Sequence, residues 1–340
     1  MSRSNKTESA PKHILIIRED RIGDVVLTIP LAGFIKAKYP DARVTFLVRE
    51  YTKPLVEMSA LVDEVITTEE IGADRSIWKG IAELRKRKFD AAVLVYPNFR
   101  TSFMLAASFI NIRVGTSYRW YSFLLNRKVP LRRKNGTRHE LEHNATLLAG
   151  IGITDIDFTT DNLYGIPVGG GQGKQLTDKP LVILHPGSGG SAVDTGVEKF
   201  RELAVKLIES DAVSVAVTGS EGEKELCNRV AEGLPVRNFA GEFDLQGLTT
   251  LIGESSVFVA NSTGPLHIAA ALGKYCIGFY PKVEAISARR WGPYTTKKQV
   301  FEPKMECSNC TVEQCIRLQC MNSIDMGAVK EAILSAITKN

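Results

Sequence analysis

The sequence predicts an α/β protein of two doubly wound domains, each with a parallel sheet covered by helices. Apolar runs rich in Ile, Leu and Val alternate with amphipathic stretches of helical period, which is the pattern of βαβ units. The alternation lapses once, in the Gly- and Lys-rich stretch IPVGGGQGKQLTDKP, and then restarts. A length of 340 residues suits two domains of ordinary size.

The first half contains four predicted strands with helices between them. The strand-like runs are HILIIR from His13, RVTFLV from Arg43, EVITT from Glu64 and AAVLVY from Ala91. A helix is expected from about Asp24 to Tyr39, and a charged helix near Lys79–Lys88. These elements predict an amino-terminal Rossmann-like domain over residues 1–165, followed by a linker over residues 166–179.

The second half repeats the pattern over residues 180–340. Its strand-like runs are LVILHPG, VSVAVTGS, SVFVAN and CIGFY. Helices are expected at about Glu198–Ser210, Gly222–Glu232, Leu245–Glu254 and Pro265–Leu272. This pattern predicts a second doubly wound domain.

The composition predicts a folded protein without a membrane span. Hydrophobic residues make up 44% of the chain and charged residues 24%. No apolar run approaches the roughly 18 residues that a spanning helix needs, and the polar amino terminus has no signal-peptide core, so a cytoplasmic location is expected. No G-x-G-x-x-G dinucleotide fingerprint follows the first strand. The nearest match to a P-loop fails because Val168 and Gln175 occupy positions that require Gly and Ser or Thr.

Basic residues cluster between Arg113 and Arg138, although the net charge of the chain is only +5. Four aromatic residues are interspersed among them: Tyr118, Trp120, Tyr121 and Phe123. Such a segment attracts phosphates, anionic lipid head groups or nucleic acid, and the aromatic rings suit a membrane surface or a sugar. A solvated charged face is the plain alternative.

Four of the six cysteines lie close together near the carboxyl terminus, at Cys307, Cys310, Cys315 and Cys320. Their spacing could hold zinc or an iron–sulfur cluster, but it differs from common zinc patterns. A thiol-rich structural loop without metal is the simpler interpretation. Cys227 and Cys276 fall in apolar elements and are expected in the core.

Three loops of the second domain are candidates for anion binding. HPGSGGS, VTGSEGEKE and NSTGPLHIAAALG each follow a predicted strand, where open α/β sheets place their ligands. Small residues let the backbone approach a diphosphate, and Ser262 and Thr263 can cap the helix that follows. His267, one turn into that helix, could donate to a phosphate or be a structural hydrogen-bonding residue.

The ordered motifs resemble glycosyltransferase family 9, the lipopolysaccharide heptosyltransferases, and the architecture resembles the GT-B fold. The matching motifs are ILIIREDRIGDVVLTIPLAGFIKAKYPDARVTFLV, RHELEHNATLL, ILHPGSGGSA, VANSTGPLHIAAALGK, WGPY and the cysteine cluster. The resemblance implies two Rossmann-like domains facing across a cleft. It also implies inverting, metal-independent transfer of a heptose from ADP-heptose to the lipopolysaccharide inner core, with no cofactor and no nucleic-acid partner.

The resemblance makes Asp24 the general base, which would take the proton of an acceptor hydroxyl. A helix N-cap is the alternative role for this residue. The family's donor side maps onto nine residues: Ser188, Gly189, Gly190, Glu221, Phe243, Ser262, Thr263, Gly264 and His267. Phe243 would form a wall for the base, and an acidic residue, Glu221 or Glu223, would contact the ribose.

Two departures from the family pattern fall on the donor side. Ser262 stands where many relatives have Asp, and Val193 and Asp194 stand where many have a basic residue. Loss of a cation should weaken phosphate binding unless Lys199 or Lys282 reaches the site. A transferase using another nucleotide sugar, and a donor-binding pseudoenzyme, are therefore the rival hypotheses.

On the acceptor side the resemblance gives the basic segment a partner. An acceptor with acidic sugars and lipid phosphates would favour four arginines of the first domain: Arg119, Arg127, Arg132 and Arg133. We therefore expect a peripheral contact with the inner face of the cytoplasmic membrane.

Overall fold

The computed structural model describes residues 10–133, 138–159, 162–167, 178–305 and 310–338. Contacts between residues divide the chain into two compact units. The first comprises Met1–Asp20, Thr28–Arg132 and His143–Gly165, and the second Arg21–Leu27, Arg133–Glu142 and Ile166–Asn340. The second unit therefore includes two short segments from the amino-terminal half of the sequence.

The sheet of the first unit has six parallel strands in the order β3-β2-β1-β4-β5-β6. The strands are β1 His13–Ile17, β2 Arg43–Val48, β3 Glu64–Thr67, β4 Ala91–Leu94, β5 Ile112–Thr116 and β6 Arg127–Val129. The helices are α2 Pro30–Lys38, α3 Lys53–Glu57, α4 Ile77–Arg87 and α5 Phe99–Ala107, together with α6 Glu140–Thr146, whose first three residues belong to the second unit. The strand order reverses between β1 and β4, which creates a switch point at their carboxyl ends.

The second unit has the same design, with six parallel strands in the order β12-β11-β10-β7-β8-β9. The strands are β7 Leu181–His185, β8 Ser214–Val217, β9 Arg237–Asn238, β10 Val257–Asn261, β11 Tyr275–Phe279 and β12 Lys298–Phe301. The helices are α1 Ile22–Val26, α7 Val197–Glu209, α8 Lys224–Ala231, α9 Leu245–Glu254, α10 Gly264–Ala271, α11 Ala288–Trp291, α12 Val312–Arg317 and α13 Met326–Thr338. Its switch point lies between β7 and β10.

Two parallel, helix-covered sheets confirm the predicted fold class. Strands β5, β6, β9 and β12 were not among the predicted strands. β6 and β9 have only three and two residues, and their polar runs RKV and RN lack the apolar pattern of a buried strand. Of the predicted linker, residues 168–177 lie outside the described residues.

The helix predicted from about Asp24 to Tyr39 is in fact two helices, α1 and α2. Residues 27–29 form a turn between them, and Pro30 begins α2. Proline has no N–H to donate to the preceding turn, so it starts a helix more readily than it continues one. The prediction of one helix was wrong because the apolar pattern runs through the break.

The central strands supply the core of each unit, because helices cover both faces of the sheet. All five residues of β7 are buried, and α7 packs Phe200, Leu203, Ala204 and Leu207 toward the core at helical spacing. Cys227 and Cys276 are fully buried, as predicted. None of the helices in the described part of the chain is long and apolar enough to cross a membrane.

Candidate functional site

In the second unit, loops that carry the candidate residues follow β7, β8 and β10, which are neighbours in the sheet. Asn261, at the end of β10, is fully buried and joins two points of the loop after β7. Its Nδ2 donates to the carbonyl of Pro186 at 2.6 Å, and its Oδ1 accepts from the N–H of Thr195 at 2.9 Å. Ser191 Oγ also donates to the carbonyl of Ser262, at 3.4 Å. The loop is thereby held beside the start of α10.

Glu223 ties the loop after β7 to the loop after β8. Its Oε1 accepts from the N–H of Gly189 at 3.1 Å, and its Oε2 accepts from the N–H and the hydroxyl of Ser220 at 2.8 and 2.7 Å. Burial raises the pKa of Glu223, but the hydrogen bonds outweigh that effect and the net pKa is lowered. A charged carboxylate therefore sets the shape of the glycine-rich loop, a role that sequence reasoning did not assign to Glu223.

Gly189 and Gly190 both have left-handed backbone conformations, with φ of 57° and 73°. A Cβ at either position would meet no atom within 4 Å, so packing does not require glycine there. The left-handed backbone conformation is what favours glycine. Successive N–H groups in such a turn form a concave anion site. Ser188 precedes them, and its buried hydroxyl lies close to the Asp194 carboxylate.

Helix α1, which carries Asp24, packs against the first turn of α10. A Cβ on Gly264 would lie 3.2 Å from the backbone nitrogen of Gly23, and a Cβ on Gly23 would lie 2.8 Å from Cδ2 of His267. Glycine at both positions permits this close approach. The contact places the turn containing Asp24 beside the positive end of α10.

Asp24 is in the first turn of α1, but it is not the N-cap, which is Arg21. The capping role considered for Asp24 is therefore wrong. Thr263 is the N-cap of α10, yet its hydroxyl makes no capping hydrogen bond with the helix. The first turn of α10 thus has no side-chain cap, which suits N–H groups that receive an anion.

His267 is buried at the start of α10, and its Nδ1 has no hydrogen-bond partner. Burial lowers its pKa to about 3, with a further contribution from His139. The ring is therefore neutral at physiological pH. A neutral imidazole can donate one hydrogen bond to a phosphate but brings no positive charge.

We expect Gly23→Ala to lower the free energy of unfolding of the second unit by about 1–3 kcal/mol, because the new methyl group collides with the buried His267 ring. Urea unfolding measures this change, followed by the emission of Trp291 in a background in which Trp78 and Trp120 are replaced by Phe. In a His267→Ala background the penalty should largely disappear. Gly253→Ala is the matched control, since a Cβ there meets nothing within 4 Å inside α9. An equal penalty with and without His267 would contradict the prediction.

Two further predicted donor residues lie at the surface of the second unit. Glu221 is exposed, and its carboxylate pairs with Lys224 Nζ at 2.8 Å. Phe243 is 43% exposed, and its ring centroid lies 5.5 Å from that of Phe239. An exposed ring face and an exposed carboxylate are accessible to a ligand.

The two departures from the family pattern differ in placement. Val193 is buried in the core of the second unit. Burial raises the pKa of Asp194 to about 6, and Glu223 adds to this while the nearby Ser188 hydroxyl reduces it. Asp194 can therefore be neutralised at small cost, which weakens the expected repulsion of a diphosphate. The suggested replacement cations are engaged elsewhere: Lys199 pairs with Glu202, and Lys282 donates to the carbonyl of Met305.

The stability of the second unit should rise with pH between about 4 and 6.5. Burial lowers the pKa of His139 and His185 to about 4 and that of His267 to about 3, so at pH 5.5 the unfolded chain binds protons that the folded chain does not. Asp194, with its raised pKa, opposes this. Unfolding therefore takes up protons in this pH range, and the free energy of unfolding rises as the pH increases. Unfolding by urea at several pH values, with Trp291 as reporter, measures the slope; a flat profile would contradict it.

The switch point of the first unit contains a cavity of about 550 Å³. Its lining includes the carboxylates of Glu19, Glu69 and Asp74, the guanidinium groups of Arg49 and Arg100, and the polar side chains of Thr68, Tyr96, Asn98 and Thr101. Glu19 accepts hydrogen bonds from Thr101 Oγ1 at 2.7 Å and Asn98 Nδ2 at 3.5 Å, and burial raises its pKa. Sequence reasoning missed this group, although polar residues directly after strands β1 and β4 were an available signal.

The four arginines predicted for the acceptor have different surroundings. Arg119 is exposed, the Arg132 guanidinium lies 4.6 Å from the Tyr118 ring centroid, and Arg127 lines a cavity at the amino ends of β5 and β6. Arg133 lies in the second unit and donates to Glu140 at 2.6 Å. Glu140 is almost fully buried and also pairs with Arg290, so Arg133 compensates a buried charge.

Three of the four clustered cysteines lie in the described residues, and Cys307 lies outside them. Cys315 and Cys320 are buried in the core of the second unit, and Cys310 packs against it. Within the described residues, no group of three or more His, Cys, Asp or Glu side chains is arranged to hold a metal ion. The described cysteines contribute apolar packing.

Two doubly wound units, with glycine-rich loops at the switch point of the second, have the architecture of the GT-B fold. The fold is similar to that of the Escherichia coli ADP-heptose lipopolysaccharide heptosyltransferase II, with a TM-score of 0.78 at 21% identity, covering 96% of this chain and 99% of the other. The sequence is 26% identical over 304 residues to an inferred glycosyltransferase of Haemophilus influenzae, covering 82% of this chain and 85% of the relative. It is also 26% identical over 293 residues to lipopolysaccharide heptosyltransferase 2 of Salmonella typhimurium, covering 78% and 82%.

Residues 77–321 match the family model of glycosyltransferase family 9 (heptosyltransferase). Because the match spans more than half of the chain, the protein belongs to this family. It is a glycosyltransferase, as its motifs predicted.

Proposed function

We propose that this protein transfers a heptose from ADP-heptose to the inner core of lipopolysaccharide, with inversion at the anomeric carbon and without a metal ion. The observation that carries the proposal is the packing of α1 against α10. It brings the Asp24 turn next to the helix start that suits a diphosphate. The named heptosyltransferases among the relatives supply the donor and acceptor classes.

In the proposed reaction, Asp24 removes the proton from an acceptor hydroxyl as that oxygen attacks the anomeric carbon. The new carbon–oxygen bond forms on the face opposite the diphosphate, while the bond between the anomeric carbon and the diphosphate oxygen breaks. ADP departs with the electron pair. Backbone N–H groups of Ser188 and Gly190 and of the start of α10 stabilise its developing charge, while the Gly189 N–H stays on Glu223.

Donor recognition is assigned to the loops of the second unit. Ser262, Thr263, Gly264 and His267 surround the start of α10, with His267 as a neutral hydrogen-bond donor. Phe243 offers an exposed aromatic face for the adenine base. Glu221 supplies a carboxylate that can accept from the ribose hydroxyls.

The acceptor is assigned to the cavity of the first unit. Arg49 and Arg100 present guanidinium groups that match a carboxylate or phosphate on the acceptor sugar. Glu19, held by Thr101 and Asn98, can accept from sugar hydroxyls. A lipid-anchored acceptor would also place the protein at the inner face of the cytoplasmic membrane.

The test is an assay of ADP release with ADP-heptose and a delipidated inner-core acceptor. We expect turnover in the presence of a chelator and a product of inverted anomeric configuration by NMR. Arg49→Gln should raise KM for the acceptor and leave KM for the donor unchanged. Turnover with a UDP- or GDP-sugar alone would favour the transferase with another donor, and tight ADP-heptose binding without turnover would favour the pseudoenzyme.

A further inference from the structure

A chain of aromatic rings runs across the surface of the first unit, joining α4, α5 and the 3-10 helix Trp120–Leu124. The Trp78 and Phe103 ring centroids lie 6.4 Å apart, as do those of Phe103 and Phe99. Phe99 stacks on Trp120 with centroids 5.0 Å apart. Phe123 lies three residues after Trp120, and this spacing places both side chains on one side of a 3-10 helix. We call these five residues the aromatic patch.

Most rings of the aromatic patch are exposed to solvent. Trp120 is 73% exposed, Trp78 and Phe123 are each 67% exposed, and Phe99 is 46% exposed. Single exposed apolar residues are common, but a contiguous group of large rings marks an interaction surface. Burial of these rings against a partner would remove a substantial apolar area from water.

The segment that carries four of the five rings, Phe99, Phe103, Trp120 and Phe123, is basic. Residues 91–139 contain no Asp or Glu, and nine Lys or Arg residues fall in this stretch: Arg100, Arg113, Arg119, Arg127, Lys128, Arg132, Arg133, Lys134 and Arg138. Arg119 and Arg100, which directly adjoin Trp120 and Phe99 in the sequence, are both exposed. A partner for this surface therefore presents negative charge together with an apolar layer.

We propose that the aromatic patch is a membrane-docking surface, with its rings in the head-group region of an anionic lipid bilayer and its arginines on the lipid phosphates. Tryptophan and other aromatic residues favour the interface between water and hydrocarbon, and basic residues add attraction to anionic lipid. A second copy of this chain would bring the same positive charge to the contact, which disfavours self-association.

The aromatic patch adjoins the cavity assigned to the acceptor, and the role that follows from this position rests on the proposed function. Phe99 lies between Asn98 and Arg100, two residues that line the cavity assigned to the acceptor. A glycolipid could therefore keep its acyl chains in the bilayer while its sugar enters that cavity.

Sedimentation of the full chain with vesicles tests the docking. The vesicles contain phosphatidylcholine with about one third phosphatidylglycerol, an anionic surface. We expect the double variant Trp120→Ser, Phe123→Ser to bind about tenfold more weakly or worse, and raised salt to weaken binding of the wild type. The matched control is Phe109→Ser, because Phe109 is 75% exposed but lies at the other end of α5, beyond the aromatic patch.

Tryptophan fluorescence locates the contact directly. The chain has three tryptophans, Trp78, Trp120 and Trp291, and only Trp291 lies in the second unit. A variant that retains Trp120 alone should be quenched by vesicles with brominated acyl chains. A variant that retains Trp291 alone should not be quenched.

Equal binding by the wild type and the double variant, or equal quenching of Trp120 and Trp291, would overturn the docking surface. So would a wild-type dimer in sedimentation equilibrium that the double variant abolishes, because the patch would then bind a second copy. Turnover of the delipidated acceptor should be unchanged in the double variant. If the wild type turns over the delipidated acceptor but does not bind vesicles, the docking surface is rejected and the proposed reaction is retained. If the wild type does not turn over the acceptor, the proposed reaction is rejected independently of docking.

Discussion

Replacement of Asp24 by asparagine is expected to lower kcat about a thousandfold, because a positioned general base contributes roughly 10²–10⁴ to the rate. Asparagine keeps the shape of the side chain but cannot accept a proton. KM for ADP-heptose should change little, since the donor loops after β7 and β10 keep their hydrogen bonds to Asn261. Initial rates of ADP release measure both constants.

The stability of the variant separates loss of the base from loss of the fold. The Asp24→Asn variant should have a urea unfolding curve of the second unit close to that of the wild type, because the turn of α1 still fits against Gly264. Asp41→Asn, at an exposed position of the first unit, is the control for the loss of one charge. A fall in kcat of less than about tenfold would reject Asp24 as the base.

Glu223→Gln is expected to reduce kcat/KM for the donor about a hundredfold. The carboxylate of Glu223 accepts three hydrogen bonds from Gly189 and Ser220, and an amide turns one of its oxygens into a donor facing an N–H or hydroxyl group. Charge-assisted hydrogen bonds of this kind are worth about 1.5–3 kcal/mol each. The loss should appear mainly in KM, because the glycine-rich loop is no longer held open for the diphosphate.

Titration calorimetry with ADP-heptose measures this loss without turnover. Glu225→Gln is the matched control, since Glu225 is exposed in the first turn of the adjoining helix α8. Glu223→Asp retains the charge but shortens the side chain, and we expect its affinity to lie between those of the Glu223→Gln variant and the wild type. Unchanged donor affinity in Glu223→Gln would show that the loop holds its shape without the carboxylate.

Periodicity alone was sufficient to predict both doubly wound units, because buried parallel strands need continuous apolar runs and their crossover helices need an apolar stripe. The break between α1 and α2 was harder to predict. The apolar residues continue through the turn that precedes Pro30, so the burial pattern does not reveal where the backbone changes direction. Short polar strands such as β9 were missed for the related reason that backbone pairing needs no apolar pattern.

For the candidate site as well, some features could be predicted from the sequence and others could not. Its chemical groups could be read from short stretches of sequence: a carboxylate after the first strand, glycine-rich loops after later strands, and a Thr-Gly-Pro start to a helix. These signals are local, since each depends on a few adjacent residues and the end of one strand.

Which of these groups act together depends on the folded chain. Gly189 and Glu223 are 34 residues apart, and Gly23 meets His267 across most of the chain. Nothing in either local sequence specifies its distant partner. Glu140 likewise forms a buried ion pair with Arg133. The family resemblance assigns this arginine to the acceptor, and nothing in the local sequence indicates its pairing with Glu140. Packing brings distant residues into contact, and a buried charge recruits whichever partner the fold places beside it.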